Sequence, residues 1–421
     1  MDTLDTRLRC ALDGDAMRAH LAALLPECRA GATVGAVEVL QPRRNASQRR
    51  QPHPLTLCYR VELLDAGGAR REPLRLYAKV FREGASALHA DARTLHLPAL
   101  DMRLWRFPHD PGLPQLQRLL DPAFTLPWWP RPARAVDTLR HEPEQRATLA
   151  FHHGHERLFA KTFADDRAEA VHRRFMHFWR AAQRHPFAPL VAEPLGHDAA
   201  TRSVWQAEAI GTPLRERLQD AVPSWVAVRL AAAFAAVHAA PADLAGPLPR
   251  DLAHWRREIV RRSRKIGRAL PVLAPRVAAI ADALQRSADT LPAQPLLLIH
   301  GDCHPDQVWL SPDDRVVLFD FDEFTLGDPM EDLAQFVTRL GDAGGSARFG
   351  SEIVAAYAHL APAAFSAARL RWQLALQQLL QASRAFVFQA PGWPQRVGQR
   401  LARAESLLDD GGLLGLDTLA A

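Results

Sequence analysis

Apolar and polar residues alternate through VGAVEVL (34–40), LTLCYRVELL (55–64) and LRLYAKVF (74–81), a period of two that marks strands with one buried face. A mixed, helix-like pattern precedes them over residues 1–30, and a polar loop, QPRRNASQRRQPHP (41–54), separates the first two strands. After LRLYAKVF the pattern reads as a helical stretch and a proline-rich connection, and then the alternation returns in ARAVDTLRHEPEQRATLAFHHGHERLFAKTF (133–163). The two β segments resemble each other: AVEVL aligns with AVDTL, and RLYAKVF aligns with RLFAKTF at five of seven positions. The repeat predicts a duplicated small β unit.

Behind the second copy the period changes to that of a helix in DDRAEAVHRRFMHFWRAAQRH (165–185), with Asp165 and Asp166 placed to cap it. Two further strands, LVAEPLGHD and RSVWQAEAI, lead to GTPLRERL (211–218), where Gly211 and Pro213 break the pattern. From there the chain is mainly helical. SWVAVRLAAAFAAVHAA (224–240) is apolar on most sides and predicts a core helix, and helices recur over about 346–408. The expected division is residues 1–130 for the N-terminal helix and first β unit, 131–210 for the second, and 211–421 for a helical lobe.

Composition narrows the class. With 421 residues, 48% hydrophobic and 24% charged, the chain is long enough for two or three domains with substantial cores. No apolar run is long enough to span a bilayer, and the acidic, mixed N-terminus does not read as a signal peptide. Cys10, Cys28, Cys58 and Cys303 are far apart, which suits reduced thiols and a cytoplasmic protein. The net charge of +5 comes from basic residues interspersed with 47 acids, so nucleic acid is not an expected partner. The basic stretch HWRREIVRRSRKIGRAL (254–270) reads as a solvated helix face, or else as an anion-attracting surface near a substrate site. Of 52 basic residues only Lys79, Lys161 and Lys265 are lysine, and Asn45 is the one asparagine. A lysine kept inside an apolar strand therefore suggests a task that arginine does not perform, such as presenting a point charge to a phosphate.

The chemistry gathers in LLLIHGDCHPDQVWL (296–310) and VVLFDFDEFTLGDPMEDLA (316–334). Two short apolar strands end in acids, Asp302 in the first loop and Asp320 thirteen residues after Gln307. Phosphoryl transfer needs such parts: a carboxylate for the nucleophile, oxygen ligands for Mg²⁺, and a cation on the nucleotide phosphates. His300-Gly301-Asp302, four residues, Gln307, then Asp320, followed by Gly327-Asp328-Pro329 and Asp332-Leu333-Ala334, resembles the aminoglycoside phosphotransferase family of small-molecule kinases. The likeness extends over about 136–385.

That resemblance implies an α+β, two-lobe protein-kinase-like fold with a β-rich N-lobe and a helical C-lobe, here preceded by the duplicated β unit. It implies an ATP- and Mg²⁺-dependent transfer to a hydroxyl of a small molecule, with Asp302 as catalytic base and Asp320 as the main metal ligand. Gln307 stands where the family has asparagine, and its extra methylene shifts or weakens a second metal position. Asp322 either assists the metal or caps its loop, while Asp328 and Asp332 are expected to start a turn and to prop the catalytic loop. Chain order favours Lys161 over Lys79 as the phosphate lysine, because a helix, two strands and the linker follow it. Glu169 is its candidate partner, or a first-turn acid on the helix dipole. Arg146 lies in the glycine-free loop RHEPEQRA that would cover the phosphates, and the adenine would meet the backbone around Glu208 to Ile210. The alternative is a nucleotide-binding pseudokinase of the same fold.

Overall fold

The computed structural model describes residues 4–44, 54–89, 93–185, 187–218, 222–241 and 249–409; Asn45 and most of the polar loop after it lie outside these. The chain divides into two compact units, one made of Met1–Asp166, Asp198–Ser203 and Ala385–Pro391, the other of Arg167–His197, Val204–Arg384 and Gly392–Ala421.

The first unit opens with helices α1 (Leu4–Ala11), α2 (Gly14–Leu24) and the single turn α3 (Pro26–Arg29). Asp13 caps α2 by accepting from the backbone N–H groups of Asp15 and Ala16, at 2.9 and 3.2 Å. A five-stranded antiparallel sheet follows, with strands β1 (Thr33–Arg44), β2 (Leu55–Leu64), β3 (Leu74–Val80), β4 (Thr94–Leu97) and β5 (Met102–Arg106) in the order β1-β2-β3-β5-β4. Along β2 the alternation is realised: Leu55, Leu57, Tyr59, Val61 and Leu63 are buried, in one cluster with Leu8, Met17 and Leu21 of the helices. Burying each such side chain stabilises the unit by roughly 1.5–3 kcal/mol. The Tyr59 hydroxyl finds its partner in the Ala11 carbonyl, 2.6 Å away.

One expectation is corrected here. Among the described residues the segment after LRLYAKVF is not an α-helix but folds into β4 and β5, preceded by a 3₁₀ turn at Ala85–His89. β5 is buried at Met102, Arg103, Leu104 and Trp105 rather than in alternation, and its pairing to β3 from Leu76↔Arg106 to Val80↔Met102 outweighs local helix preference.

After a proline-rich connection with the short turn α4 (Leu116–Leu119), β6 (Ala135–Glu142), β7 (Arg146–His153) and β8 (Glu156–Phe163) form a second antiparallel meander. Each copy of the repeat is thus a three-stranded meander, with Lys79 on the third strand of one and Lys161 on the third strand of the other.

The second unit begins with α5 (Ala168–Ala182). Arg167, not Asp165 or Asp166, occupies the N-cap position, without a side-chain bond, and Asp166 pairs with Arg202, 3.0 Å away within the first unit. Strands β9 (Leu190–Val191), β10 (Pro194–Asp198), β11 (Ser203–Ala207) and β12 (Thr212–Pro213) come next, followed by α6 (Leu214–Arg217), α7 (Ser224–His238), α8 (Leu252–Ala269) and α9 (Ala274–Ser287). The chain then returns to short strands, β13 (Leu297–Ile299), β14 (Val308–Leu310), β15 (Val316–Leu318) and β16 (Thr325–Gly327). It ends in α10 (Pro329–Asp342), α11 (Ala347–Leu360), α12 (Ala367–Val387) and α13 (Trp393–Asp409). As its composition predicts, α7 is largely buried, at Val226, Leu230, Phe234 and Val237 among others, although Trp225, Val228 and Arg229 are exposed. Much of the charge on α8 is met locally, since Glu258 pairs with Arg261 and Arg262, and Arg256 pairs with Asp289.

Candidate active site

The loop after β13 is held by backbone contacts that its own residues do not supply. Asp332, fully buried on α10, accepts from the N–H groups of His300 at 2.7 Å and Gly301 at 2.9 Å. His238 at the end of α7 lies 3.2 Å from the same carboxylate and 2.6 Å from the Tyr357 hydroxyl on its other nitrogen. Burial alone would raise the Asp332 carboxyl, but the His238 hydrogen bond, the neighbouring histidines and the Gly301 N–H hold it below its ordinary value. Gly301 itself has φ +77°, and a Cβ there would come within 2.5 Å of the Glu323 carbonyl, so the turn requires glycine.

Arg250 secures the loop from the other side. Its Nη1 donates to the Gly301 carbonyl and to Glu331, each at 2.6 Å, and its Nη2 reaches Glu323 at 2.5 Å. Desolvation would lower the Arg250 pKa, but the charges of Glu331 and Glu323 raise it, so the guanidinium stays charged. Burial pushes Glu331 up to about 8 against the pull of Arg250.

Held in this way, Asp302 has unequal oxygens. Oδ1 accepts from Gln335 Nε2 at 2.9 Å, while Oδ2 lies 4.0 Å from His304 Nε2, beyond hydrogen-bond range. Burial, aided by the Arg339 charge, pushes the His304 pKa down to about 4, so the imidazole is neutral at pH 7. Its Nδ1 lies 3.4 Å from Asp306, which Arg215 also engages at 2.7 Å. Cys303 is buried and its thiol pushed well above the ordinary range, so it is inert.

Gln307 ends the 3₁₀ turn before β14, and its Nε2 lies 3.3 Å from Asp320 Oδ2. Asp320 leaves β15 with φ +62°, a left-handed conformation that turns the chain sharply into Phe321. Phe321 packs among Phe175 and Phe178 of α5 and the His300 ring, with centroids 5.5, 4.9 and 5.0 Å away. Arg174, also on α5, donates to the Asp322 carbonyl at 3.0 Å. The acid-bearing turn is thereby tied to both α5 and the loop after β13. Asp322 lies in the 3₁₀ turn that follows, and Asp328 caps α10 by accepting from Met330 N–H at 3.0 Å.

Asp320, Gln307, His304 and Asp302 follow one another in a row: Gln307 Nε2 lies 3.3 Å from Asp320 and 3.5 Å from His304 Nε2, which is 4.0 Å from Asp302 Oδ2. Among the described residues no group of three His, Cys, Asp or Glu side chains is placed to hold a metal. A carboxylate and an amide oxygen nevertheless fit Mg²⁺, which commonly takes one or two protein ligands and fills its octahedron with water and phosphate oxygens. Rotating the Gln307 amide would bring its oxygen to the position its nitrogen holds beside Asp320. Glu169 is exposed in the first turn of α5, and Glu208 and the exposed Ile210 lie between β11 and β12. In the first unit, Lys161 sits opposite Thr148 on β7, and Arg146 pairs with Glu142 at 3.1 Å. Sequence reasoning missed Arg250, His238 and Gln335. Only Gln335 had a signal, since it follows Asp332 by three residues and so shares its helix face.

A family model described as the phosphotransferase enzyme family matches residues 144–372. The chain belongs to this phosphotransferase family. The match begins in the β6–β7 turn, so the first β unit of this phosphotransferase lies outside it. No curated protein matches the chain. Among solved structures, it is similar to a choline/ethanolamine kinase family protein from Mesorhizobium loti at 18% identity and TM-score 0.50, covering 72% of this chain and 98% of that one. It is also similar to a thermostable mutant of an aminoglycoside phosphotransferase in ternary complex with ADP and hygromycin B, at 15% identity and TM-score 0.48, covering 67% and 96%. The fold of this phosphotransferase is the kinase-like one expected, with a β-sheet N-terminal region and a helical C-terminal region. No helix among the described residues is long and apolar enough to cross a membrane.

Proposed function

We propose that the protein is an ATP- and Mg²⁺-dependent phosphotransferase acting on a hydroxyl group of a small molecule. The observation that carries this reading is Asp302, whose loop is fixed by Asp332 and Arg250 and whose Oδ2 has no hydrogen bond to His304 or Gln335 competing for it. A substrate hydroxyl placed there would be oriented by Asp302 and give up its proton to it. Its oxygen bonds to the γ-phosphorus as the bond to the β,γ-bridging oxygen breaks, and ADP leaves. Mg²⁺, held by Asp320 and the Gln307 amide oxygen, would neutralise charge on the phosphate oxygens. Lys161 and Arg146 would bind the phosphates, Glu169 would orient Lys161, and the backbone from Glu208 to Ile210 would meet the adenine. The protein would work in the cytoplasm without nucleic-acid or membrane partners.

One observation favours a second reading, a pseudokinase: Gln307 stands where the family has asparagine, and its extra methylene displaces the amide that would share the metal with Asp320. Calorimetric titration of MgATP separates the two when followed by turnover assays on hydroxylated acceptors. The expected result is that the wild type binds and that Lys161→Met loses measurable binding. Equal binding by Lys161→Met would remove Lys161 from the site. Binding without transfer to any acceptor would favour the pseudokinase.

A further inference from the structure

The turn between β6 and β7 carries a conformation that its residue type resists. Gln145 N–H donates to the Glu142 carbonyl at 3.0 Å, closing a four-residue turn with Pro143 and Glu144 at its centre. Glu144 has φ +57°, at the position where a type II turn normally calls for glycine. A left-handed glutamate persists only where its surroundings enforce it.

Those surroundings come from the first β unit and the connection that follows it. Lys79 Nζ lies 2.5 Å from each carboxylate oxygen of Glu144. The ammonium also lies 5.8 Å from the Tyr77 ring and 5.7 Å from the Trp105 ring, which stack on each other, so cation–π attraction fixes it from below. Asp110, 1% exposed, accepts from the Glu144 N–H at 2.9 Å and from Gly112 N–H at 2.8 Å, and pairs with His141 at 2.8 Å. A Cβ on Gly112 would come within 2.5 Å of the Glu144 Cα, so the turn is seated directly on this connection. Three residues on, Gln115 Nε2 donates to Thr162 Oγ1 and to the Phe163 carbonyl, both at 2.8 Å, at the end of the strand that bears Lys161.

We infer that Lys79 is a positioning residue: through Glu144 it holds the β6–β7 turn in the form that binds nucleotide phosphates. This rests on the phosphotransferase reading above, in which that turn covers the phosphates. It also gives the repeated β unit a role, since the lysine that one copy would present to phosphate is in the other copy turned onto the neighbouring turn. A lysine engaged by both carboxylate oxygens and two rings acts on the nucleotide only through the backbone it fixes.

The test compares wild type, Lys79→Met, Lys79→Arg and Glu144→Gln by MgATP calorimetry and by amide hydrogen exchange over residues 142–146. Lys79→Met and Glu144→Gln are expected to weaken MgATP about tenfold and to speed exchange at the Glu144 amide. Lys79→Arg, which keeps the cation, should stay within about twofold of wild type. Unchanged affinity in Lys79→Met and Glu144→Gln, with a wild type that binds, would overturn the inference alone. So would complete loss of binding in Lys79→Met with unaltered exchange, because Lys79 would then touch the nucleotide itself. A wild type that binds no MgATP would remove the phosphotransferase reading and the inference with it.

Discussion

Asp302→Asn is expected to lower turnover by about 10²–10⁴-fold while leaving MgATP affinity within a few-fold of wild type. The substitution is nearly isosteric, and an asparagine carbonyl oxygen can still accept from Gln335 Nε2, which lies 2.9 Å from Oδ1 in the wild type. The loop itself hangs on Asp332 and Arg250 rather than on the Asp302 side chain, so its path should survive. What the variant loses is the charge that orients a hydroxyl and the basicity that accepts its proton. The loss should therefore appear in kcat, with KM for nucleotide little changed. His304, whose Nε2 lies 4.0 Å from Oδ2, is a poor replacement, because burial pushes its pKa down to about 4 and weakens it as a base. Turnover within tenfold of wild type would remove Asp302 from the role of base.

The parts of this fold that could be read in advance are those in which a local pattern and a buried surface agree. β2 alternates because one face meets α1 and α2, and α7 is apolar over most of its surface because most of it is buried. The motif from His300 to Asp332 is legible only through its resemblance to a family, and the matching family model spans residues 144–372. What was not legible depends on partners distant in sequence. β4 and β5 lack strong strand signals of their own; β5 is fixed by pairing with β3, and β4 by pairing with β5. Asp166 looks like a cap until Arg202, a residue 36 positions away, is found 3.0 Å from it. Arg250 reaches Gly301 across 51 residues, and nothing in its surroundings marks it. Lys79 and Lys161 read alike by their strands, and although chain order favours Lys161 for the phosphates, nothing in the sequence marks the contact of Lys79 with Glu144.

Asp332→Ala should destabilise the protein by roughly 3–5 kcal/mol, the range expected when one partner of a fully buried charged network is removed. The alanine leaves the N–H groups of His300 and Gly301 and the ring of His238 without their acceptor, in a place that water does not reach. Asp332→Asn, which keeps one acceptor oxygen, should lie between wild type and alanine. The pH dependence separates this from a packing defect. The folded Asp332 pKa is held below its ordinary value of 3.8, so the unfolded chain binds the proton more readily. The contribution of its charge is therefore fully present above about pH 4 and is lost as pH falls through the lower folded value. Urea denaturation at pH 7 and pH 3 should show the gap between wild type and Asp332→Ala narrowing at the acid end, whereas a cavity alone would leave it constant. A loss under 1 kcal/mol at pH 7 would mean that other groups hold the catalytic loop. Arg250, which grips the Gly301 carbonyl from the opposite side, would then be the first to replace.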